Sequence, residues 1–287
     1  MIRDYWALTK PEVNFLIVMA TAAGFYLGSP EHLDAASLMA LLHTVVGTLL
    51  TASGAATLNQ YIERRFDAQM RRTARRPLAS GRLGGTAALR FGLVLSFAGV
   101  IYLVATTNAL ASLLALLTLT SYLGLYTPLK RKTPACTFIG AWSGAMPPLI
   151  GWAAASGRLS VEAWVLYAIL FLWQFPHFMA IAWIHREDYE RAGYLVLPLG
   201  IWRSRVMAWQ AVLPAAALVP LSVAPTLLGH GHWVYSCGAL LLSLGFTSYA
   251  AQLAVWRSNA AARRLLMASI VYLPVLLMLV MAGETWP

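Results

Sequence analysis

An all-α fold of many membrane-crossing helices is predicted by three observations. Hydrophobic residues make up 59% of the 287 positions, charged residues only 11%, and the mean hydropathy is +0.65. Nine runs free of Asp, Glu, Lys and Arg approach or exceed the roughly 20 helical residues that cross about 30 Å of hydrocarbon. No series of short alternating strands offers a closed barrel, and unpaired backbone groups in lipid cost several kcal/mol each, so helix is the default.

The first run, Val13 to Gly28, follows Asp4, Lys10 and Glu12. That order lacks the basic flank, short apolar core and cleavage site of a signal peptide, so this helix is expected to stay. The second, Ala35 to Ile62, leads into a densely charged stretch. The third and fourth, Phe91 to Thr106 and Ala109 to Tyr126, are divided by Thr106, Thr107 and Asn108. The fifth, Ala135 to Ala155, contains Gly140, Gly144, Pro147 and Pro148, which permit close packing and a bend. The sixth, Ala163 to Ile184, carries His177 beside Pro176. Val206 to Leu228, Trp233 to Trp256 and Leu265 to Ala282 complete the nine. One integral-membrane domain, residues 1–287, is expected.

Orientation follows from the basic residues. With the N-terminus in the cytoplasm, nine crossings leave only Arg158 of the 21 Lys and Arg residues outside, and the C-terminus in the periplasm. The net charge of +10 follows from this asymmetry and calls for no nucleic acid. The start is not an Arg- and Ser-rich transit segment, which favours a bacterial inner membrane over an organelle. Cys136 and Cys237 fall within predicted spans and form no ligand pair. His230 and His232 fall on the outer side, where a plain polar turn competes with a weak surface metal site.

Orientation does not require Asn59, Glu63 and Asp67 at four-residue steps. Each step of four turns a helix by only about 40°, so the three form a slowly drifting column on one face. Two carboxylates and an amide oxygen suit Mg²⁺, which takes one or two carboxylates, keeps waters and shares a substrate phosphate. Arg71, Arg72, Arg75 and Arg76 follow, before Pro77, and forked guanidinium donors match phosphate oxygens. The alternative is that Glu63 and Asp67 only pair with nearby arginines at a wet helix end, for about 0 to 1 kcal/mol each.

Two further inner segments carry similar chemistry. Tyr126 and Thr127 precede the basic turn Lys130, Arg131 and Lys132. His185, Arg186, Glu187, Asp188, Glu190 and Arg191 crowd the end of the sixth run, with His177 about two turns deeper. A polar side chain at that depth is a functional candidate, or a hydrogen-bonded packing histidine beside a proline kink. Asp188 is either a metal ligand or a solvated loop acid.

Together these segments resemble the UbiA superfamily of intramembrane prenyltransferases, in particular its haem-directed branch. The resemblance rests on Asn59, Glu63, Asp67, Arg72, Thr73, Arg76, Pro77 and Leu78, on "YTPLKR" and "GAMPPLIGW", and on "FLWQFPHF" with "EDYERAG". Asp is the commoner residue at the position of Glu63, and the second Asp pair of the quinone branch is replaced by Asp188 alone.

The resemblance implies a UbiA-type bundle with catalytic loops on the cytoplasmic side. It implies transfer of a farnesyl group from farnesyl diphosphate to a vinyl group of haem B, with water addition giving haem O and diphosphate. Mg²⁺ would be held by Asn59, Glu63, Asp67 and Asp188. Arg72, Arg76, Lys130, Arg131 and Tyr126 would bind diphosphate, and His177 and Arg186 would orient the haem. Membrane lipid surrounds such a protein, and downstream haem A synthase or terminal-oxidase assembly proteins are implied partners. The competing expectations are a UbiA-type enzyme with another aromatic or tetrapyrrole acceptor, and a non-catalytic transporter.

Overall fold

The computed structural model describes residues 2–29, 34–198, 200, 202–228 and 233–282, which leaves His230 and His232 outside the described residues. The described residues form helices joined by short connections. In chain order these are α1 (Ile2–Thr9), α2 (Pro11–Gly28), α3 (Ala35–Asp67), α4 (Gly85–Thr106) and α5 (Ala109–Ser121). A π-helical turn (Tyr122–Tyr126) leads into α6 (Thr127–Leu129), α7 (Cys136–Gly144) and α8 (Met146–Ser156). Then come α9 (Val161–Ile184), α10 (Arg186–Arg191), α11 (Trp202–Ser222), α12 (Ala224–Leu227), α13 (Trp233–Trp256) and α14 (Asn259–Ala282).

Among the described residues, eight helices are long and apolar enough to cross a membrane, with α5 through α6 and α11 through α12 each counted as one. The expected fifth run is different: Ala135 to Ala155 is split into α7 and α8 at Ala145 rather than bent. Pro147 and Pro148 lack the N–H groups that would continue the helix, and their rings clash with the preceding turn. Proline fits the first turn of a new helix, and α8 begins there. Several helices run past their apolar stretches. The 33-residue α3 continues to Asp67, and at 1.5 Å per residue its length of about 50 Å exceeds the hydrocarbon thickness. Its last turns therefore project beyond the core and carry the charged column there.

Packing pairs α3 with α4, α2 with α8, α11 with α13 and α9, and α14 with α9 and α13. Small residues set the closest approaches, as expected where lipid supplies no hydrophobic drive between helices. A Cβ on Gly151 of α8 would collide with the Thr21 carbonyl oxygen of α2 and come within 2.7 Å of the Phe25 nitrogen. Both obstacles are backbone, so no rotamer change relieves them. Gly151→Ala is therefore expected to destabilise the bundle by about 1–3 kcal/mol, measured as a lower unfolding temperature in detergent. An unchanged temperature would mean that α2 and α8 are less tightly joined than described.

Opposite this interior, α4 presents Val94, Phe97, Ile101 and Val104 outward, the face a lipid environment would cover. The N-terminal α1 was not expected from the sequence. It is held by fully buried Leu8, packed with Leu78, Leu83 and Ala88 under Tyr5, Tyr61 and Phe91. An ion pair of Asp4 with Arg82 (3.0 Å) adds to this.

Candidate active site

The end of α3 builds the floor of the site. Asn59, Glu63 and Asp67 are all buried on one face, and each meets a cation from a different segment. Arg76 Nη1 lies 2.8 Å from Asp67 Oδ2. Lys130 Nζ lies 2.8 Å from Glu63 Oε1. Lys10 Nζ donates to Asn59 Oδ1 at 3.1 Å. The Asn59 amide is oriented by its own Nδ2 donation to Thr127 Oγ1 (3.2 Å).

Local sequence explains how these groups converge. After Asp67 the chain coils back through residues 68–84, and Thr73 Oγ1 donates to the Asp67 carbonyl at 2.9 Å, which returns Arg76 to the column. On the second segment, Pro128 has no N–H for the helical carbonyl four residues earlier, so the helix widens into the π turn. Thr127 closes that turn: its N–H and its Oγ1 both donate to the Tyr122 carbonyl, the latter at 2.8 Å. The widening swings Tyr126 against Gly140, where a Cβ would come within 2.6 Å of its ring. The same ring lies 4.5 Å under Lys130 Nζ.

The third segment locks onto the other two. Asp188 Oδ2 accepts from the Arg72 backbone N–H at 3.2 Å, and Oδ1 from Arg191 Nη1 at 3.1 Å. The N–H of Leu195 donates to the Lys130 carbonyl at 2.7 Å. Phe66, Tyr189 and Tyr194 close the junction, with the Phe66 and Tyr194 rings at 6.2 Å edge to face.

The two lysines differ electrostatically. Burial acts against the Lys130 ammonium, but Tyr126 and Glu63 outweigh it and hold its pKa well above the ordinary lysine value. For Lys10, burial and the repulsion of Arg76 and Lys130 prevail over Glu63 and Asp67 and bring the pKa down to about 7. Burial also works against the Asp188 carboxylate, yet the backbone N–H groups of Arg72 and Arg71 hold its pKa below the ordinary range.

Asp67 is 1% exposed, and its Oδ1 is a buried acceptor without a hydrogen-bond partner among the described residues. Such an atom costs about 1–3 kcal/mol unless a cation or donor meets it. Hard oxygens from Asn59, Glu63 and Asp67, one of them unsatisfied, fit a small divalent ion such as Mg²⁺. Among the described residues no group of three or more His, Cys, Asp or Glu side chains is placed to share an ion. Asp188 instead accepts through Oδ2 from the Arg72 backbone N–H, which joins its segment to the α3–α4 connection, and through Oδ1 from Arg191 of its own helix.

Of the predicted residues, Asn59, Glu63, Asp67, Arg76, Lys130 and Tyr126 come together directly. Arg72 reaches the third segment, its guanidinium 6.0 Å over the Tyr189 ring. Arg131 lies 3.9 Å over the Phe66 ring. His177 and Arg186 serve the α9–α14 contact: His177 Nδ1 bonds Ser269 Oγ at 2.7 Å and its ring stacks on Trp173. Arg186 Nη1 donates to Asn259 Oδ1 at 2.7 Å and to the Trp183 carbonyl at 2.8 Å. Sequence reasoning counted Lys10 only as an orienting charge and passed over Tyr194, whose buried phenol feels the Glu63 charge. Lys10 carried one signal, its place directly before Pro11 and the first apolar run.

A model of the UbiA prenyltransferase family matches residues 17–278. A protoheme IX farnesyltransferase from Solibacter usitatus is 49% identical over 281 residues, covering 96% of each chain. A solved digeranylgeranylglyceryl phosphate synthase superposes with a TM-score of 0.79 at 16% identity, covering 99% of this chain and 98% of that one. A UbiA homologue from Archaeoglobus fulgidus bound to GPP and Mg²⁺ does so with a TM-score of 0.67 at 13% identity, covering 97% and 99%. At these identities the likeness to solved structures speaks for the fold.

Proposed function

The chain belongs to the UbiA prenyltransferase family, and on that premise we propose that it transfers a farnesyl group from farnesyl diphosphate to a vinyl group of protohaem IX. Water adds to the product cation, giving haem O and diphosphate. The observation that carries this is the oxygen column of Asn59, Glu63 and Asp67 beneath a shell of cations, in a chain with full-length likeness to a protoheme IX farnesyltransferase. Metal-dependent release of diphosphate is the result that separates this reading from a transporter.

Asn59, Glu63 and Asp67 would hold Mg²⁺, as the donor set and the unsatisfied Asp67 oxygen support. The Archaeoglobus homologue is bound to GPP and Mg²⁺. When bound, the ion supplies Lewis-acid stabilisation of charge on the leaving diphosphate. The chain's own residues share that work. Breaking the allylic C–O bond leaves the electron pair on the diphosphate, and Arg76 and Lys130, already fixed at the column, meet that charge without reorganisation. Arg72 and Arg131 extend the positive field along the same loops. Tyr126 sets its ring under Lys130 Nζ, a cation–π contact worth about 0.5–2 kcal/mol that holds the ammonium in place. We assign Asp188 to holding the arginine-bearing connection in register, from its bond to the Arg72 backbone N–H. His177 and Arg186 join α9 to α14 beneath the basic boundary where haem propionates would lie.

The protein is multi-pass, and we place it in the bacterial inner membrane with the site facing the cytoplasm. Lys130 and Asp188 meet the same site, so α5 and α9 end on one side, and the chain between Lys132 and Ser160 must cross once. We therefore assign that crossing to α7 and α8 together.

Reconstituted protein given haem B, farnesyl diphosphate and Mg²⁺ is expected to yield haem O by mass spectrometry, with product lost on chelation. Folded protein that prenylates an aromatic acid but not haem B would move the assignment to another branch of the family.

A further inference from the structure

Lys10 is held in a conformation that its sequence does not favour. Its backbone is left-handed, at φ 51° and ψ 64°, although Pro11 follows. A residue before proline prefers extended backbone, and a side chain with a Cβ rarely enters the left-handed region. The surroundings impose it. Gln60 Nε2 donates to the Leu8 carbonyl at 2.9 Å, and Asn14 Nδ2 donates to the Thr9 carbonyl at 2.8 Å. The N–H groups of Val13 and Asn14 both donate to the Lys10 carbonyl at 3.1 Å. The α1–α2 junction is thus pinned on both sides, and the pinning aims Lys10 Nζ at Asn59 Oδ1.

What Lys10 meets there differs from what the other cations meet. Lys130 and Arg76 each lie on a carboxylate, whereas the Lys10 ammonium donates to a neutral amide. That amide oxygen is also one of the three metal donors. An ammonium and a divalent ion on one oxygen repel each other, so a metal at the column weakens the hold of Asn59 on Lys10. A phosphate oxygen on that metal offers the ammonium a charged partner within the same site. Backbone strain held by the surrounding structure is a feature of substrate-handling positions.

We propose that Lys10 is a diphosphate-contacting residue that exchanges Asn59 for a phosphate oxygen as metal and substrate bind. This rests on the site reading above. It goes beyond it because Lys10 lies outside residues 17–278, the part of the chain matched by the family model. A consequence is that metal and diphosphate bind cooperatively, each drawing Lys10 off or onto its partner.

The full chain in lipid nanodiscs would be titrated calorimetrically with inorganic pyrophosphate in the presence of Mg²⁺, and its thermal unfolding followed in parallel. Lys10→Gly relieves the left-handed backbone and removes the ammonium. It is expected to unfold at or above the wild-type temperature while binding pyrophosphate about 10- to 100-fold more weakly. Lys10→Arg, which keeps the charge, should stay within a few-fold of wild type. Lys10→Met, which keeps the stem, serves in the same way if the glycine variant does not fold. Equal affinity in wild type and Lys10→Gly, or an equal loss in Lys10→Gly and Lys10→Arg, overturns the role of Lys10 alone. A wild-type chain that binds no pyrophosphate overturns the site reading and this inference with it.

Discussion

Asp67→Ala is expected to lower turnover by about 10²- to 10³-fold, the usual cost of removing one preorganised electrostatic stabiliser. The chain should still insert and fold, since Gly47, Thr51 and Gly54 of α3 meet α4 more than three turns before Asp67. Two effects combine at this position. The substitution deletes the oxygen best placed to meet a divalent ion, because Asp67 Oδ1 is buried and unsatisfied. It also releases Arg76, which the other carboxylate oxygen holds at 2.8 Å. Steady-state haem O formation over a range of Mg²⁺ concentrations separates the two. Loss of the metal donor shifts the Mg²⁺ requirement upward, whereas loss of Arg76 alignment lowers turnover at saturating Mg²⁺. Turnover within a few-fold of wild type would remove Asp67 from the site.

The sequence made the oxygen column legible because helical periodicity alone puts residues four apart on one face. It made the helix bundle legible because the apolar runs are long and nearly free of charge. The division of the fifth run was harder to place: Pro147 and Pro148 announce an interruption, but only the chain's path decides between a kink and a fresh start. The contacts of Lys10 and Asp188 were not legible for a different reason. Lys10 is aimed by Gln60 and Asn14, and Asp188 is claimed by the backbone of Arg72. Both depend on contacts between segments far apart in the chain, which local pattern does not encode. The π turn at Tyr122 to Tyr126 lies between these cases, since Pro128 signals the missing N–H but not how the helix accommodates it.

Lys130→Met is expected to damage stability and activity together, and a second substitution should separate them. The Lys130 and Glu63 side chains are 14% and 7% exposed and 2.8 Å apart. Removing one member of such a pair leaves the other charge buried without compensation, at a cost of about 3–5 kcal/mol. The single variant should therefore unfold at a clearly lower temperature. Adding Glu63→Gln removes the stranded charge, so Lys130→Met with Glu63→Gln should regain most of that stability. It should not regain haem O formation, because the site would then lack a carboxylate for the metal and a cation for the diphosphate. The cycle of the two singles and the double, measured by thermal unfolding and by product formation, gives a coupling for each property. If Lys130 served only to keep its loop on the cytoplasmic side, the other basic residues there would suffice, and the single variant would keep its turnover. Stability restored while activity stays lost is the result that assigns the Lys130–Glu63 pair to the chemistry, since a purely structural ion pair would return both.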